Sequence, residues 1–102
     1  MNITVLGCGR WGSFHAWYAD HIGHDVTLWG RPGSKNLSRL KETRKNDYLT
    51  LPNAITLTDD LKGALSGADI CIISISAQQL RSFAKDIRSA GYDKHLPFVL
   101  AM

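Results

Sequence analysis

The 102-residue sequence is poor in cysteine, in proline and in long apolar runs. Its two cysteines, Cys8 and Cys71, cannot form the framework of a disulfide-rich secreted fold, and their spacing matches no metal site. No apolar run approaches the roughly 20 residues that cross a bilayer. No basic N-terminal segment precedes an apolar core, as it would in a secretory signal. These absences predict a cytoplasmic protein with reduced thiols and no membrane partner.

The composition is that of a single ordinary globular domain spanning residues 1–102, with 44% hydrophobic and 21% charged residues. The net charge is +3 and the sequence pI is about 9.1, but lysine and arginine are spread along the chain. An aromatic and basic stripe, which a nucleic-acid-binding protein would need, is not visible. We therefore expect no nucleic-acid partner and a mildly basic surface that attracts a small anion.

The most informative stretch is Gly-Cys-Gly-Arg-Trp-Gly at residues 7–12, which follows the β-branched, apolar run 3–6. Gly7 permits a tight turn from strand to helix, Gly9 lets the backbone approach a pyrophosphate, and Gly12 lets the helix lie close to the strand. The phosphates would accept hydrogen bonds from the unpaired N–H groups at the start of that helix.

The rest of the chain alternates strand and helix patterns. We predict strands at 3–6, 25–29, 54–57, 70–75 and 96–101. Helices are predicted from residue 10 to about 22, from about 60 to 65 and from 77 to 90, and the polar stretch 37–46 is either a short helix or an exposed connection. Thr58-Asp59-Asp60 and Ser76 offer N-cap chemistry for the later helices, and Gly23 and Gly91 occupy the positions that end a helix. The pattern predicts an α/β, Rossmann-type doubly wound parallel sheet in the order 3-2-1-4-5, with a ligand crevice at the carboxyl ends of strands one and four.

The first predicted helix carries two stripes. The small stripe would lie close against the sheet, and it comprises Gly12, Ala16 and Ala19. The bulky stripe comprises Phe14, Trp17, Tyr18 and His21. Its aromatic residues either fill the space between the helix and its neighbours, or present Trp17 and Tyr18 to a further domain or to a second subunit of a homo-oligomer.

The end of the second strand indicates which dinucleotide the crevice takes. In the NAD-binding form of this unit an acidic residue at that point binds the ribose 2′-hydroxyl. This sequence instead has Gly30 and then Arg31, with Lys35 nearby and no carboxylate available. Because a guanidinium can pair bidentately with a phosphate, the pattern favours NADP over NAD, or tolerance of both. The alternative is that Arg31 is only a solvated loop residue.

Other reactive side chains do not form a convincing site. His21 and His24 lie on either side of a helix end, which disfavours a shared metal ion, and Ser74 and Ser76 lack the setting of a nucleophilic serine. We predict no metal site and no catalytic residue in this chain. Cys8 lies beside a helix N-terminus, which favours a lowered thiol pKa and sensitivity to oxidants.

Residues 3–12 together with 23–31 resemble the start of NAD(P)-dependent glycerol-3-phosphate dehydrogenases. The tryptophan in the glycine loop and the Leu-Trp-Gly-Arg after the second strand are more specific than the glycines alone. Later stretches agree in order along the whole chain, and they are Tyr48-Leu49, Leu51-Pro52, Asp60-Leu61, Ala64-Leu65, Gly67-Ala68-Asp69 and Gln78-Gln79-Leu80-Arg81.

The resemblance implies hydride transfer between a nicotinamide cofactor and dihydroxyacetone phosphate, giving sn-glycerol 3-phosphate for phospholipid synthesis. By position, Arg10 and Trp11 would line the pyrophosphate, and Arg31 would lie at the adenosine end. Ser74 and Ser76, in the loop after strand four, would run under the nicotinamide. The chain departs from the family pattern at Arg10, where a small residue is usual, at Ser76, where proline is usual, and in a shortened segment before Leu51.

The resemblance also implies a Lys-Gly segment and a helical substrate domain beyond the fifth strand, whereas the sequence ends at Met102. We therefore expect a cofactor-binding domain that is inactive alone, since no residue matches a catalytic residue of the family. Two alternatives stay open. The chain could be a stand-alone module that senses a dinucleotide, or the cofactor domain of another reductase of the same superfamily.

Overall fold

The computed structural model describes residues 1–101 and shows a five-stranded, all-parallel sheet in the order β3-β2-β1-β4-β5. This confirms the predicted fold class and strand order. The elements in chain order are β1 Asn2–Leu6, α1 Arg10–His21, β2 Asp25–Trp29, α2 Lys35–Thr43, β3 Thr56–Thr58, α3 Leu61–Leu65, β4 Ile70–Ile73, α4 Ala77–Ala90 and β5 Phe98–Leu100.

The first strand is the centre of the sheet, because β1 pairs with β2 on one side and with β4 on the other. Ile3 lies opposite Val26 of β2 and opposite Ile70 of β4. At the carboxyl end, the Gly7 N–H donates to the Trp29 carbonyl at 2.8 Å, and the Ser74 N–H donates to the Leu6 carbonyl, also at 2.8 Å. The three strands therefore end side by side, and the loops that follow them meet at one edge.

Apolar side chains alternate along each strand and form a core on each face of the sheet. On one face Val5 and Leu28 pack with residues of α1 and α2, and on the other face Leu6 and Trp29 pack with Phe83 of α4. The small stripe of α1 is buried as predicted, with Ala16 fully inaccessible to solvent. Small side chains on that face allow α1 to lie close to β1.

Helix ends follow the capping chemistry of the sequence. The carboxylate of Asp60 accepts a hydrogen bond from the Gly63 N–H at 3.2 Å, as an N-cap does, and Gly23 and Gly91 adopt positive φ angles just after α1 and α4. Ser76 holds the N-cap position of α4, but within the described part of the chain its side chain makes no capping hydrogen bond. Only the position of that cap was predicted correctly.

The largest differences from the predicted boundaries lie in β3, β4 and β5. The fourth strand ends at Ile73 rather than at residue 75, because its partner β1 ends at the paired residue, Leu6. The third strand begins at Thr56 rather than at residue 54, because Ile55 is held in a turn by a hydrogen bond to the Pro52 carbonyl. The fifth strand is limited to its three residues that pair with β4.

The polar stretch after β2 is a helix, α2, which ends at Thr43 rather than near residue 46. Arg44 adopts a left-handed conformation, with φ of 61°, and its guanidinium donates to the Pro52 carbonyl at 3.2 Å. This contact ties the end of α2 to the turn that precedes β3. Across residues 1–101, no helix combines the length and the apolar character needed to cross a bilayer.

Candidate functional site

The glycine loop lies at the edge where β1, β2 and β4 end, and two of its glycines are required by the fold itself. Gly7 has φ of 113°, a region that favours glycine, and a Cβ atom there would overlap the Ser74 carbonyl oxygen. A Cβ atom on Gly12 would overlap the Gly7 carbonyl oxygen. The two glycines therefore bring the start of α1 into direct contact with the end of β1.

Gly9 is different, because nothing in residues 1–101 requires a glycine there. Its φ of −74° suits any residue, and no atom beyond its chain neighbours within residues 1–101 comes within 4 Å of a Cβ built at this position. The space above Gly9 is open, and it faces the start of α1, where the first N–H groups of a helix have no intrahelical partner. The loop thus has the geometry of an anion site, and the residues present fit a pyrophosphate.

Two clefts flank the glycine loop, one on each side of the point where the strand order reverses. The larger, of about 490 Å³, lies towards β2, and the other, of about 360 Å³, lies towards β4. Gly9 and Ser74 line both. All eight residues predicted to bind a cofactor line one or both of these clefts, and they are Gly7, Gly9, Arg10, Trp11, Gly12, Arg31, Ser74 and Ser76.

Arg31 lies in the larger cleft but is not free in solvent. Its guanidinium Nη1 is 3.5 Å from Oδ2 of Asp86, and its Cζ lies 5.3 Å from the centre of the Phe83 ring. Both partners belong to α4. The sequence has no carboxylate at the end of β2 itself, but the fold brings that of Asp86, 55 positions further along the chain, to the Arg31 side chain.

Arg10 is held by aromatic rings at the start of α1. Its Cζ lies 4.3 Å from the centre of the Tyr48 ring and 5.2 Å from that of Trp11, distances typical of cation–π contacts.

The loop after α2 makes a second contact with α1, in which the amide of Asn46 donates to the Ser13 hydroxyl at 2.8 Å. Sequence reasoning missed Asn46 and Tyr48, which bind the loop after α2 to the first turn of α1.

The bulky stripe of α1 is divided between core and solvent. Trp17 packs partly on the core, whereas Phe14 and Tyr18 are exposed by 40% and 51%. Phe14 forms ring contacts with Trp17 and with Tyr18 at 6.3 Å between ring centres. Of the bulky stripe, Trp17 is the side chain that packs against the described part of the core.

Both thiols are buried, which changes their expected chemistry. Burial raises the pKa of the Cys8 thiol, although its hydrogen-bond contact with the Ser34 hydroxyl acts in the opposite direction, and burial raises the pKa of Cys71 to about 12. The prediction of a lowered Cys8 pKa was wrong, since burial desolvates the thiolate and this raises the pKa more than the hydrogen bonds lower it. Among residues 1–101 there is no cluster of three or more potential metal ligands.

We expect both thiols of the folded protein to react with a disulfide reagent at least about tenfold more slowly than in the unfolded chain, because reaction needs an exposed thiolate. Below the ordinary thiol pKa of 9.0 the thiols are neutral in both states and do not affect stability. As the pH rises from about 9 to about 12 the unfolded chain loses the Cys71 proton that the folded chain keeps, so the free energy of unfolding falls. Thiol-labelling rates and urea unfolding at pH 8 and pH 10 measure both effects, and labelling of Cys8 at the unfolded rate would contradict the first.

Comparison with known proteins agrees with this geometry. The family model described as "NAD-dependent glycerol-3-phosphate dehydrogenase N-terminus" matches residues 2–102. A glycerol-3-phosphate dehydrogenase [NAD(P)+] of Geobacillus kaustophilus is 39% identical over 92 residues, which are 86% of this chain and 26% of that relative. The chain thus spans about a quarter of the length of this curated relative.

Solved structures share the fold. A glycerol-3-phosphate dehydrogenase from Coxiella burnetii superimposes with a TM-score of 0.85 at 20% identity, covering 98% of this chain and 31% of that one. A ketopantoate reductase from Ralstonia eutropha gives a TM-score of 0.75 at 19% identity, covering 96% and 33%. At these identities the structures establish only the fold, and the sequence match distinguishes between the families. The chain therefore belongs to the family of NAD-dependent glycerol-3-phosphate dehydrogenases, of which it matches the N-terminal region.

Proposed function

We propose that this chain is the cofactor-binding part of an NAD(P)-dependent glycerol-3-phosphate dehydrogenase. In that enzyme hydride moves between the nicotinamide cofactor and dihydroxyacetone phosphate, the small phosphorylated substrate. The cofactor supplies the hydride chemistry, and the protein binds it and orients it against the substrate. We propose no catalytic residue within these 102 residues, so that turnover needs groups from elsewhere in the enzyme.

The proposed binding mode follows the two clefts. The N–H groups at the start of α1 would donate to the pyrophosphate above Gly9, with the backbone at Arg10 and Trp11 alongside. The adenosine half would extend towards Arg31 in the larger cleft, and the nicotinamide half would extend past Ser74 and Ser76 in the other. Gly7 and Gly12 would act indirectly, by fixing the turn that presents these N–H groups.

The observation that carries the proposal is the open space above Gly9, since no contact within the described residues requires a glycine there. Calorimetric titration of the 102-residue chain with NADPH and with NADH tests it directly. We expect binding of at least one cofactor and no oxidation of either in the presence of dihydroxyacetone phosphate. Failure of both cofactors to bind at millimolar concentration would refute the proposal.

The Arg31→Asp variant should lose affinity for NADPH about tenfold more than for NADH, because a charge-assisted contact to the 2′-phosphate becomes a repulsion. NADH lacks that phosphate and serves as the internal control. Lys94→Asp makes the same change of charge in the exposed loop before β5, at the opposite edge of the sheet, and should leave the ratio of the two affinities unchanged. Equal losses in the Arg31 variant would show that this residue does not bind the 2′-phosphate.

The cellular setting is part of the same proposal. The sequence features support a cytoplasmic enzyme without a membrane or nucleic-acid partner. The exposed rings of Phe14 and Tyr18 support contact with a further domain or with a second subunit. Size-exclusion chromatography with light scattering distinguishes the two partners, because only contact with a second subunit would make this chain a dimer.

A further inference from the structure

Arg31 lines the larger cleft, where the choice between NADP and NAD would be made, and Asp86 is paired with it from α4. Arg31 follows β2 directly after Gly30, and its side chain extends to α4. Phe83 lies fully buried beneath the guanidinium, and Asp86 is three residues further along the same helix. The position of the charge is thus set by an aromatic ring and a carboxylate together.

We propose that Asp86 is a positioning residue that lowers the preference of this site for the phosphorylated cofactor. The inference rests on the proposed function, in which Arg31 pairs with the 2′-phosphate of NADPH. A guanidinium already paired with a carboxylate must give up that contact, or share it, before it can pair with a phosphate. NADH has no 2′-phosphate, so its binding does not require Arg31 to leave Asp86. Asp86 therefore reduces NADPH affinity selectively.

The exposure of the Arg31–Asp86 pair limits how much Asp86 can change the NADPH affinity. The two side chains are 46% and 52% exposed and 3.5 Å apart, so their pairing is partly screened by water. Exposed ion pairs contribute little to stability, which places the change in NADPH affinity at about three- to fivefold rather than at several hundredfold. A change of this size alters the ratio of the NADPH affinity to the NADH affinity modestly and does not abolish binding of either cofactor.

The test compares Asp86→Asn with the unmodified chain in titrations with both cofactors. We expect the NADPH affinity to rise about three- to fivefold while the NADH affinity stays constant. Asp86→Glu keeps the carboxylate and should retain the original ratio. Asp25→Asn is the matched control, because it removes the same charge from an exposed residue at the amino end of β2, roughly 20 Å from Arg31.

A double-mutant cycle tests whether Asp86 acts through Arg31. In the Arg31→Ala background, Asp86→Asn should leave the ratio of affinities unchanged, because there is no guanidinium left to release. A persistent change there would show that Asp86 acts by its own charge and would overturn the positioning role. An equal change for both cofactors would indicate a purely structural role and would also overturn it.

Three further outcomes decide whether this inference and the proposed function stand or fall together. If both cofactors bind the unmodified chain and Asp86→Asn changes neither affinity, the inference fails while the proposed function stands. A loss of NADH affinity in Asp86→Asn would assign the carboxylate to the ribose hydroxyls instead, and it too would overturn the inference. If neither cofactor binds the unmodified chain, the proposed function fails and the inference fails with it.

Discussion

Replacing Gly12 with alanine is expected to destabilise the whole domain. The new Cβ atom would overlap the Gly7 carbonyl oxygen. Neither can turn aside, because the Cβ is fixed to the backbone of α1 and the oxygen belongs to the backbone at the end of β1. The helix must move away from a sheet against which Ala16 and Ala19 are already packed. We expect the free energy of unfolding to fall by about 3 kcal/mol, which lowers the melting temperature of a domain of this size by about 12 °C or more.

Thermal unfolding followed by circular dichroism measures this effect in the absence of any ligand. Gly9→Ala is the matched control, because it adds the same methyl group three residues earlier, where a Cβ atom meets no other part of the described chain. It should melt within a few degrees of the unmodified protein. A Gly12→Ala variant as stable as its control would contradict the close contact between helix and strand.

The same control variant is expected to lose the cofactor. In Gly9→Ala the methyl group points into the open space that the proposed binding mode gives to the pyrophosphate. Hydrogen bonds to a charged group are each worth about 1.5–3 kcal/mol, so losing one weakens binding by about 10- to 100-fold. NADPH and NADH share the pyrophosphate, and both affinities should fall by the same factor.

The equal loss of affinity for both cofactors distinguishes Gly9 from Arg31, because replacing Arg31 should lower mainly the affinity for NADPH. Parallel titrations of Gly9→Ala and the unmodified chain with both cofactors provide the comparison, and the melting temperature confirms that the variant is folded. Unchanged affinity for either cofactor would show that the pyrophosphate does not approach the backbone at Gly9, and the binding mode would have to be redrawn.

The strand order could be predicted because its determinants are local. A short apolar run, such as residues 70–73, indicates a buried strand, and glycines at positions 7 and 12 indicate a tight turn into a closely packed helix. Parallel strands joined by helices then have few allowed arrangements, because the crossovers are right-handed. The eight proposed cofactor-binding residues lie together for the same reason, since all of them follow strands that end at one edge.

The errors arose where two distant segments meet. No local pattern indicates that Asp86 of α4 reaches Arg31, because helix periodicity assigns residues to faces and does not identify the loop that a face meets. The expected pKa of Cys8 was wrong for a related reason: its position beside a helix start is visible in the sequence, while its burial depends on packing with Ser34 and α2. Tyr48 likewise contacts Arg10 only because the chain after α2 folds back.

The central position of β1 has a consequence for how the chain acquires its structure. In the sheet β1 is hydrogen-bonded on both edges, yet it is synthesised before both of its partners, and one of them, β4, begins only at Ile70. Pairing with β2 requires a short loop closure, whereas pairing with β4 must close a much longer one, and such non-local pairing slows folding. During synthesis one edge of β1 therefore stays open until β4 has been made, and that edge is exposed to pairing with other chains.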